Sequence, residues 1–251
     1  MFDKEIKFIS HQNYVDLNED YPSPIKLNIP EWYKKLEHGN FIGEQMTIKG
    51  CMPFLDTLTT GYLLKIAQDF QLEHNVWNEE LKTMDSFYAT GSLFDDIIKA
   101  KGINLNSQKP DIHGHSQIKG SPYVKKNKNL NIYKIMNPWI IKTPPGYSCL
   151  FLPPLNNTDD RFSIIPGIVD TDQFPREVNF PIIINGDKYK TLKTIIEKGT
   201  PYVQVIPFRR ESWKMKIIGQ NTDKFNQKKI FYGLKVLHNY KKRFWSKKTW
   251  K

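Results

Sequence analysis

Two aspartates stand two residues apart in the run Gly-Ile-Val-Asp-Thr-Asp, at Asp170 and Asp172. Side chains at i and i+2 of a strand leave the same face, so an extended backbone would aim both carboxylates the same way. Such a pair can orient an attacking water or help to bind a nucleotide or a metal. The competing explanation is a polar strand end, with Asp172 engaged in turn hydrogen bonds. Both explanations stay open on the sequence alone.

The other reactive side chains are less well placed. His113 and His115 flank Gly114, with Asp111 and Gln117 nearby. No third ligand follows at a diagnostic spacing, so the segment is read as a polar loop and no metal is assigned to it. Cys51 has no base at a recognisable spacing and is read as a small core residue. The two cysteines, Cys51 and Cys149, form neither a Cys-x-x-Cys nor a metal pattern, as expected in a reducing compartment. Near the end of the chain, Phe244, Trp245 and Trp250 stand among Lys241, Lys242, Arg243, Lys247 and Lys248. That mixture suits nucleic acid, through phosphate contacts and stacking. The apolar face of the same segment equally suits docking on a neighbouring subunit.

The charge balance points the same two ways. There are 37 Lys and Arg against 26 Asp and Glu among 251 residues, a formal charge of +11. An excess of this size suits a polyanionic partner. It is also what a composition jointly enriched in Lys, Asn and Ile produces, because surface Lys maintains solubility. The first residues, Met-Phe-Asp-Lys-Glu-Ile-Lys, lack the apolar core of a signal peptide. No run reaches the roughly 18 apolar residues of a membrane-spanning helix, so no membrane partner and a cytoplasmic setting are expected.

The elements that must position these residues are mostly short strands. Between Asn137 and Pro207, β-type runs alternate with Pro and Gly: Trp139–Lys142, Tyr147–Leu152, Phe162–Ile165, Gly167–Asp170, Val178–Ile184, Thr194–Ile196 and Tyr202–Phe208. Turn chemistry separates them at Thr143-Pro-Pro-Gly146, Pro153-Pro154, Asn185-Gly186 and Lys198-Gly199. Earlier, Ile6–Ser10 and Met46–Lys49 read as strands. Gly61–Ile66 and a strand ending near Val76 and Trp77 read as a hairpin pair. Tyr21-Pro-Ser-Pro24 reads as an extended arm and Ile29–Leu36 as a short helix opened by Pro30. Gly91–Ala100 fits a helix capped by Ser92. From Asn226 onward, Ile230, Phe231, Leu234, Leu237, Lys241 and Phe244 follow helical spacing, which predicts a basic amphipathic helix. The implied layout is an arm over 1–45, a β domain over 46–222 with a mixed insertion at about 78–136, and the helix over 223–251. Many short strands with turn chemistry between them mean a barrel or sandwich.

The order of these segments resembles the dUTPase and dCTP-deaminase superfamily. Thr60-Gly61-Tyr62-x-Leu64 is similar to Ala-Gly-Tyr-Asp-Leu, and Pro145-Gly146-Tyr147 followed by Pro153-Pro154-Leu155-Asn156 is similar to Pro-x-Gly-Tyr with Pro-Arg-Ser-Gly. Gly167-Ile-Val-Asp-Thr-Asp172-x-Phe174 resembles Gly-Val-Ile-Asp-x-Asp-Tyr, and Lys198-Gly-Thr-Pro-Tyr-Val-Gln-Val-Ile206 resembles Lys-Gly-Asp-Arg-Ile-Ala-Gln-Leu-Ile. The likeness covers residues 57–76 and 137–208. It implies a distorted β-barrel of the β-clip kind, a homo-oligomer such as a trimer, and deoxynucleotide chemistry assisted by Mg²⁺. Asp170, with Asp172, then stands as the water-activating carboxylate and Phe174 as the stacking ring, with Gln204, Asn156 and Tyr62 as nucleotide contacts. Departures are equally plain. Leu155-Asn156 replaces the phosphate-binding Arg-Ser, Leu63 replaces the first-motif Asp, and a Lys/Trp-rich end replaces the Gly-rich phosphate clamp.

The runs Thr47-Ile-Lys-Gly-Cys-Met-Pro-Phe54 and Asn137-Pro-Trp-Ile-Ile-Lys-Thr-Pro-Pro-Gly-Tyr-Ser148 are also similar to a group of uncharacterised phage and bacterial proteins. That likeness implies a phage-encoded protein acting in the host cytoplasm. Three functions follow: a nucleotide-binding or nucleotide-hydrolysing protein with an altered phosphate site, a non-catalytic structural or interaction module, and nucleic-acid binding by the basic end.

Overall fold

The structure, a computed structural model, describes residues 4–17, 20–39, 47–67, 69–80, 82–85, 112–156, 159–219 and 239–251. The expected helix at 91–100, Asp111, Met46 and the apolar positions 230–237 lie outside these residues. The chain forms two compact units. One comprises Met1–Ser23 with Gly61–Arg209, the other Pro24–Thr60 with Arg210–Lys251.

The first unit is built from strands. In chain order they are β1 (Lys7–Ile9), β2 (Ser23–Pro24, at the boundary of the unit), β3 (Tyr62–Lys65), β4 (Phe70–His74), β5 (Val76–Asn78), β6 (Thr83–Asp85), β7 (Ile112–His113), β8 (Ile132–Ile135), β9 (Ile140–Lys142), β10 (Tyr147–Leu152), β11 (Phe162–Ile164), β12 (Gly167–Val169), β13 (Phe180–Ile184), β14 (Leu192–Ile196) and β15 (Pro201–Arg209). The main sheet has the order β12-β10-β15-β3, with β2 outermost, and a second sheet has the order β11-β13-β8-β7. Three two-stranded pairs complete it: β14-β4, β1-β9 and β5-β6. Among the described residues the protein is therefore mainly β, and no sheet closes into a barrel.

Local sequence explains the central strand. Tyr202-Val-Gln-Val205 is buried throughout, as befits a strand flanked on both sides and covered on both faces. Pro201 opens β15, where a missing N–H is tolerated, and the pairing with β3 shifts register between Pro201 and Val203. The core gathers Phe151, Phe180 and Tyr202, with ring centroids 5.4 and 5.7 Å apart, around Cys149, Ile164, Ile184 and Val205. Aromatic pairs at this spacing add to the area they bury, which lets a chain of modest hydrophobic content hold a core.

The hairpin expected between Gly61–Ile66 and the strand that follows is absent. β3 pairs with β15 and β4 pairs with β14, so β3 and β4 do not pair with each other. The reason is an interlocked corner. The Ile66 amide donates to the Thr200 carbonyl (2.9 Å), Gly199 N–H donates to the Ile66 carbonyl (2.8 Å), and the Lys198 amide donates to Asp69 Oδ1. Each bend thus binds the other. Asn185-Gly186 does make a turn, with Lys188 and Tyr189 amides on the Asn185 carbonyl, but β13 and β14 enter different sheets.

In the second unit one expected strand is missing and the short helices are present. Ile48–Gly50 is a 3-10 turn rather than part of a strand, and it leads into a helix at Met52–Thr57 with Pro53 in its first turn. The helix expected from Pro30 runs over Glu31–Lys35 and ends where Leu36 becomes extended. Its Trp32 and Tyr33 rings pack on each other at 5.7 Å, and Tyr33 lies 5.8 Å from Phe54. At the C-terminus only Asn239–Arg243 is helical among the described residues, and 245–251 carry no regular structure.

Candidate functional site

The Asp170–Asp172 segment lies beyond the end of β12, not within a strand. The Asp170 carbonyl accepts the amides of Gln173 (3.0 Å) and Phe174 (2.9 Å), which bends the chain into a turn. The two carboxylates grip the opposite corner, Thr143–Ser148. There the Tyr147 amide donates to the Pro144 carbonyl across Pro145 and Gly146. Gly146 has φ +82°, the conformation glycine adopts at the third position of a type II turn. Ser148 Oγ donates to Asp170 Oδ1 (2.6 Å), and Gly146 N–H donates to Asp172 Oδ2 (2.8 Å).

Between them, Thr171 is fully buried. Its Oγ1 lies 2.7 Å from Thr143 Oγ1 and 3.4 Å from Cys149 Sγ. Burial pushes the Cys149 thiol up to about 11, only partly opposed by the Thr171 hydrogen bond. Cys149 is therefore a protonated core group at neutral pH and not a nucleophile.

The remaining nucleotide-contact candidates separate into different environments. Phe174 is 37% exposed, and its carbonyl accepts from Lys142 Nζ (2.8 Å). Gln204 is fully buried between Leu152 and Leu63, and its Oε1 accepts the Leu155 amide (3.0 Å). It thereby holds the Pro153–Asn156 turn, in which Asn156 has φ +62° and is exposed. Tyr62 is half-buried with its ring edge against Phe8, and burial raises its phenol pKa.

A cleft of about 160 Å³ lies beside that turn, lined by Pro153, Pro154, Asp159, Phe162, Ser163, Pro201 and Tyr202. Ligand pockets usually occupy about 300–1,000 Å³. Among the described residues Asp159 is its one ionic lining group. Burial works to raise the Asp159 pKa, but the Arg161 hydrogen bonds outweigh it and the net direction is down. Arg161 holds both carboxylate oxygens, at 3.0 and 2.8 Å, and continues to the Ile195 carbonyl at 2.9 Å.

The carboxylates nearest the site are Asp170 and Asp172. Asp170 Oδ1 and Asp172 Oδ2 each already accept a hydrogen bond, and among the described residues no three His, Cys, Asp or Glu converge on one point. His113 lies in β7 and His115 in the following 3-10 turn, and His113 Nδ1 is hydrogen-bonded to Gln117 Oε1.

In the basic end, Trp245 Nε1 lies 3.2 Å from each carboxylate oxygen of Asp56, and Lys248 Nζ reaches Asp56 Oδ2 at 2.5 Å. Those two residues fasten the end of the chain to the Met52–Thr57 helix. Lys241, Lys242 and Lys247 are exposed and form no ion pair among the described residues, and Arg243 is exposed beside them.

Two buried polar groups, His74 and Asp85, carry no signal in the sequence. His74 is fully buried at the end of β4, and among the described residues neither ring nitrogen has a hydrogen-bond partner. Burial first and the Lys128 charge second lower its pKa to about 4. Asp85 is also buried. Its Oδ1 accepts the Tyr133 hydroxyl (2.8 Å) and its Oδ2 is unpartnered. Nothing in Gln71-Leu-Glu-His74 distinguishes a buried histidine from a surface one, because alternation does not say which strand will cover it. No protein-family model matches this chain, and a search of curated proteins finds no match to it.

Proposed function

We propose that this chain is a non-catalytic interaction module, built on a dUTPase-like scaffold whose phosphate-handling residues have been replaced. The carrying observation is the engagement of the two candidate carboxylates. Asp170 and Asp172 hold Ser148 and Gly146, and Gln204 holds Leu155. Active sites present convergent groups to a space that admits substrate. Here the convergent groups stabilise a corner, and the adjoining cleft is small, with an already neutralised carboxylate. A phage-encoded protein working as a homo-oligomer in the host cytoplasm fits this function. Isothermal titration with deoxynucleotides, with and without Mg²⁺, is expected to give no binding heat. Saturable binding abolished by Asp170→Asn would restore the nucleotide-hydrolase alternative.

A second function rests on its own observation. Lys241, Lys242, Arg243 and Lys247 form an exposed basic group on an end fastened down by Trp245 and Lys248. Anchored cations of this kind suit a nucleic-acid backbone. Retention on DNA that weakens with salt and disappears on deleting residues 226–251 supports it. Salt-insensitive behaviour would count against it.

A further inference from the structure

Residues 239–251 carry six Lys and Arg and no Asp or Glu. Four aromatic rings stand among these cations, and the structure divides them into two pairs. Trp245 and Trp250 are engaged with the protein. Trp245 Nε1 lies 3.2 Å from each Asp56 carboxylate oxygen, and Lys248 Nζ stands 5.9 Å from the centre of the Trp245 ring. Trp250 is half-buried, and its Nε1 is wholly covered. Tyr240 and Phe244 are instead open to solvent, 48% and 52% exposed.

The helix Asn239–Arg243 explains this division. Its end closes with the Phe244 and Trp245 amides on the Tyr240 carbonyl, at 2.9 and 3.0 Å. Side chains four residues apart on a helical turn share a face. The Tyr240 and Phe244 ring centroids accordingly stand 6.3 Å apart, while Trp245, one position further round, reaches Asp56. The bonds to Asp56 that occupy Trp245 also hold the outward rings and the exposed Lys241, Lys242 and Lys247 on a fastened end.

Cations and rings discriminate between nucleic acids in opposite directions. Cations alone favour a duplex, which has the higher charge density. Ring faces favour a single strand. In a duplex each base is covered above and below by its neighbours, whereas an unpaired base can lie on an aromatic side chain. Two exposed rings on one helix face, beside cations that reach phosphates, are the components of a single-strand site.

We infer that the basic end binds single-stranded nucleic acid in preference to duplex, with Tyr240 and Phe244, not the two tryptophans, as the base-stacking rings. This rests on the nucleic-acid function proposed for the same end and names its substrate class.

The test uses the full chain and fluorescence anisotropy with labelled single-stranded and duplex oligonucleotides of equal length, at two salt concentrations. The single strand should bind at least about tenfold more tightly, the equivalent of stacking one base. Tyr240→Leu combined with Phe244→Leu should erase that preference although both tryptophans remain. Tyr240→Trp combined with Phe244→Trp keeps two ring faces and should retain it, which separates stacking from a loss of structure in the tail. Polyglutamate, a polyanion without bases, should compete less well than an unlabelled single strand. Equal affinity for the two oligonucleotides, a preference that survives the leucine variant, or polyglutamate competing as well as a single strand would overturn the stacking assignment. If binding nevertheless weakens with salt and needs residues 226–251, the nucleic-acid function stands and the stacking inference alone fails. If neither oligonucleotide binds, both fail.

Discussion

Asp172 accepts the Gly146 amide proton at 2.8 Å, and this bond continues a strand register after the strand has ended. β10 and β12 pair Cys149 with Val169. One residue further along, Ser148 meets Asp170 through side chains. Two residues beyond that, Gly146 meets Asp172. The carboxylates take over where the backbone ladder stops, and they close the corner on the buried Thr171.

Asp172→Ala should therefore lower stability. Hydrogen bonds to charged acceptors contribute about 1.5–3 kcal/mol, and partial exposure places the expected loss near the lower end. Asp172→Asn keeps an acceptor oxygen and should lose less. Urea unfolding monitored by tryptophan fluorescence measures both, and an unchanged midpoint for the alanine variant would remove the corner-holding role.

Gln204→Leu keeps much of the side-chain volume but leaves the Leu155 amide without its acceptor. A loss of about 1–2 kcal/mol is expected, with faster hydrogen exchange at Leu155 and little change at Val203 and Val205. Exchange that remains slow at Leu155 would show that Gln204 does not pin the Pro153–Asn156 turn.

Gly61→Ala should be among the most damaging small substitutions in the chain. Gly61 has φ +82°, and a Cβ there would sit 2.2 Å from the Val205 carbonyl oxygen. Left-handed strain and the forced separation of β3 from β15 together cost at least about 2 kcal/mol. A melting temperature equal to the wild type would contradict that close approach.

His74 makes stability depend on pH. Its folded pKa, about 4, lies below the ordinary histidine value of 6.5, so between those values the unfolded chain binds the extra proton. The neutral ring's contribution is complete above pH 6.5 and is lost as pH falls towards 4. The full span is worth on the order of 3 kcal/mol. His74→Leu should flatten the slope of stability against pH across that window. Parallel slopes for the two proteins would show that His74 is not the titrating group.

The strands were readable because their signals are local. Tyr147–Leu152, Phe162–Ile164 and Gly167–Val169 are bounded by prolines, glycines and polar turns, and each structured segment lies within its expected run. Met46–Lys49 misled because an apolar–polar alternation of four residues also fits a 3-10 turn entering a helix. Asp170 and Asp172 were legible as a pair with two explanations, and spacing cannot choose between a shared face and a turn. His74 was not legible as a buried group, because its burial depends on strands and a turn distant in sequence.

The sequence alone determined most of the strands between Asn137 and Pro207 and the turns that separate them. Side-chain alternation, proline φ and glycine freedom act within a few residues. Tertiary structure decided that β3 joins β15 while β4 joins β14, that Gln204 supports a turn, and that Asp172 closes on Gly146. Those outcomes depend on which distant backbone groups meet, and the interlocked bends at Ile66 and Gly199 settle that by pairing with each other.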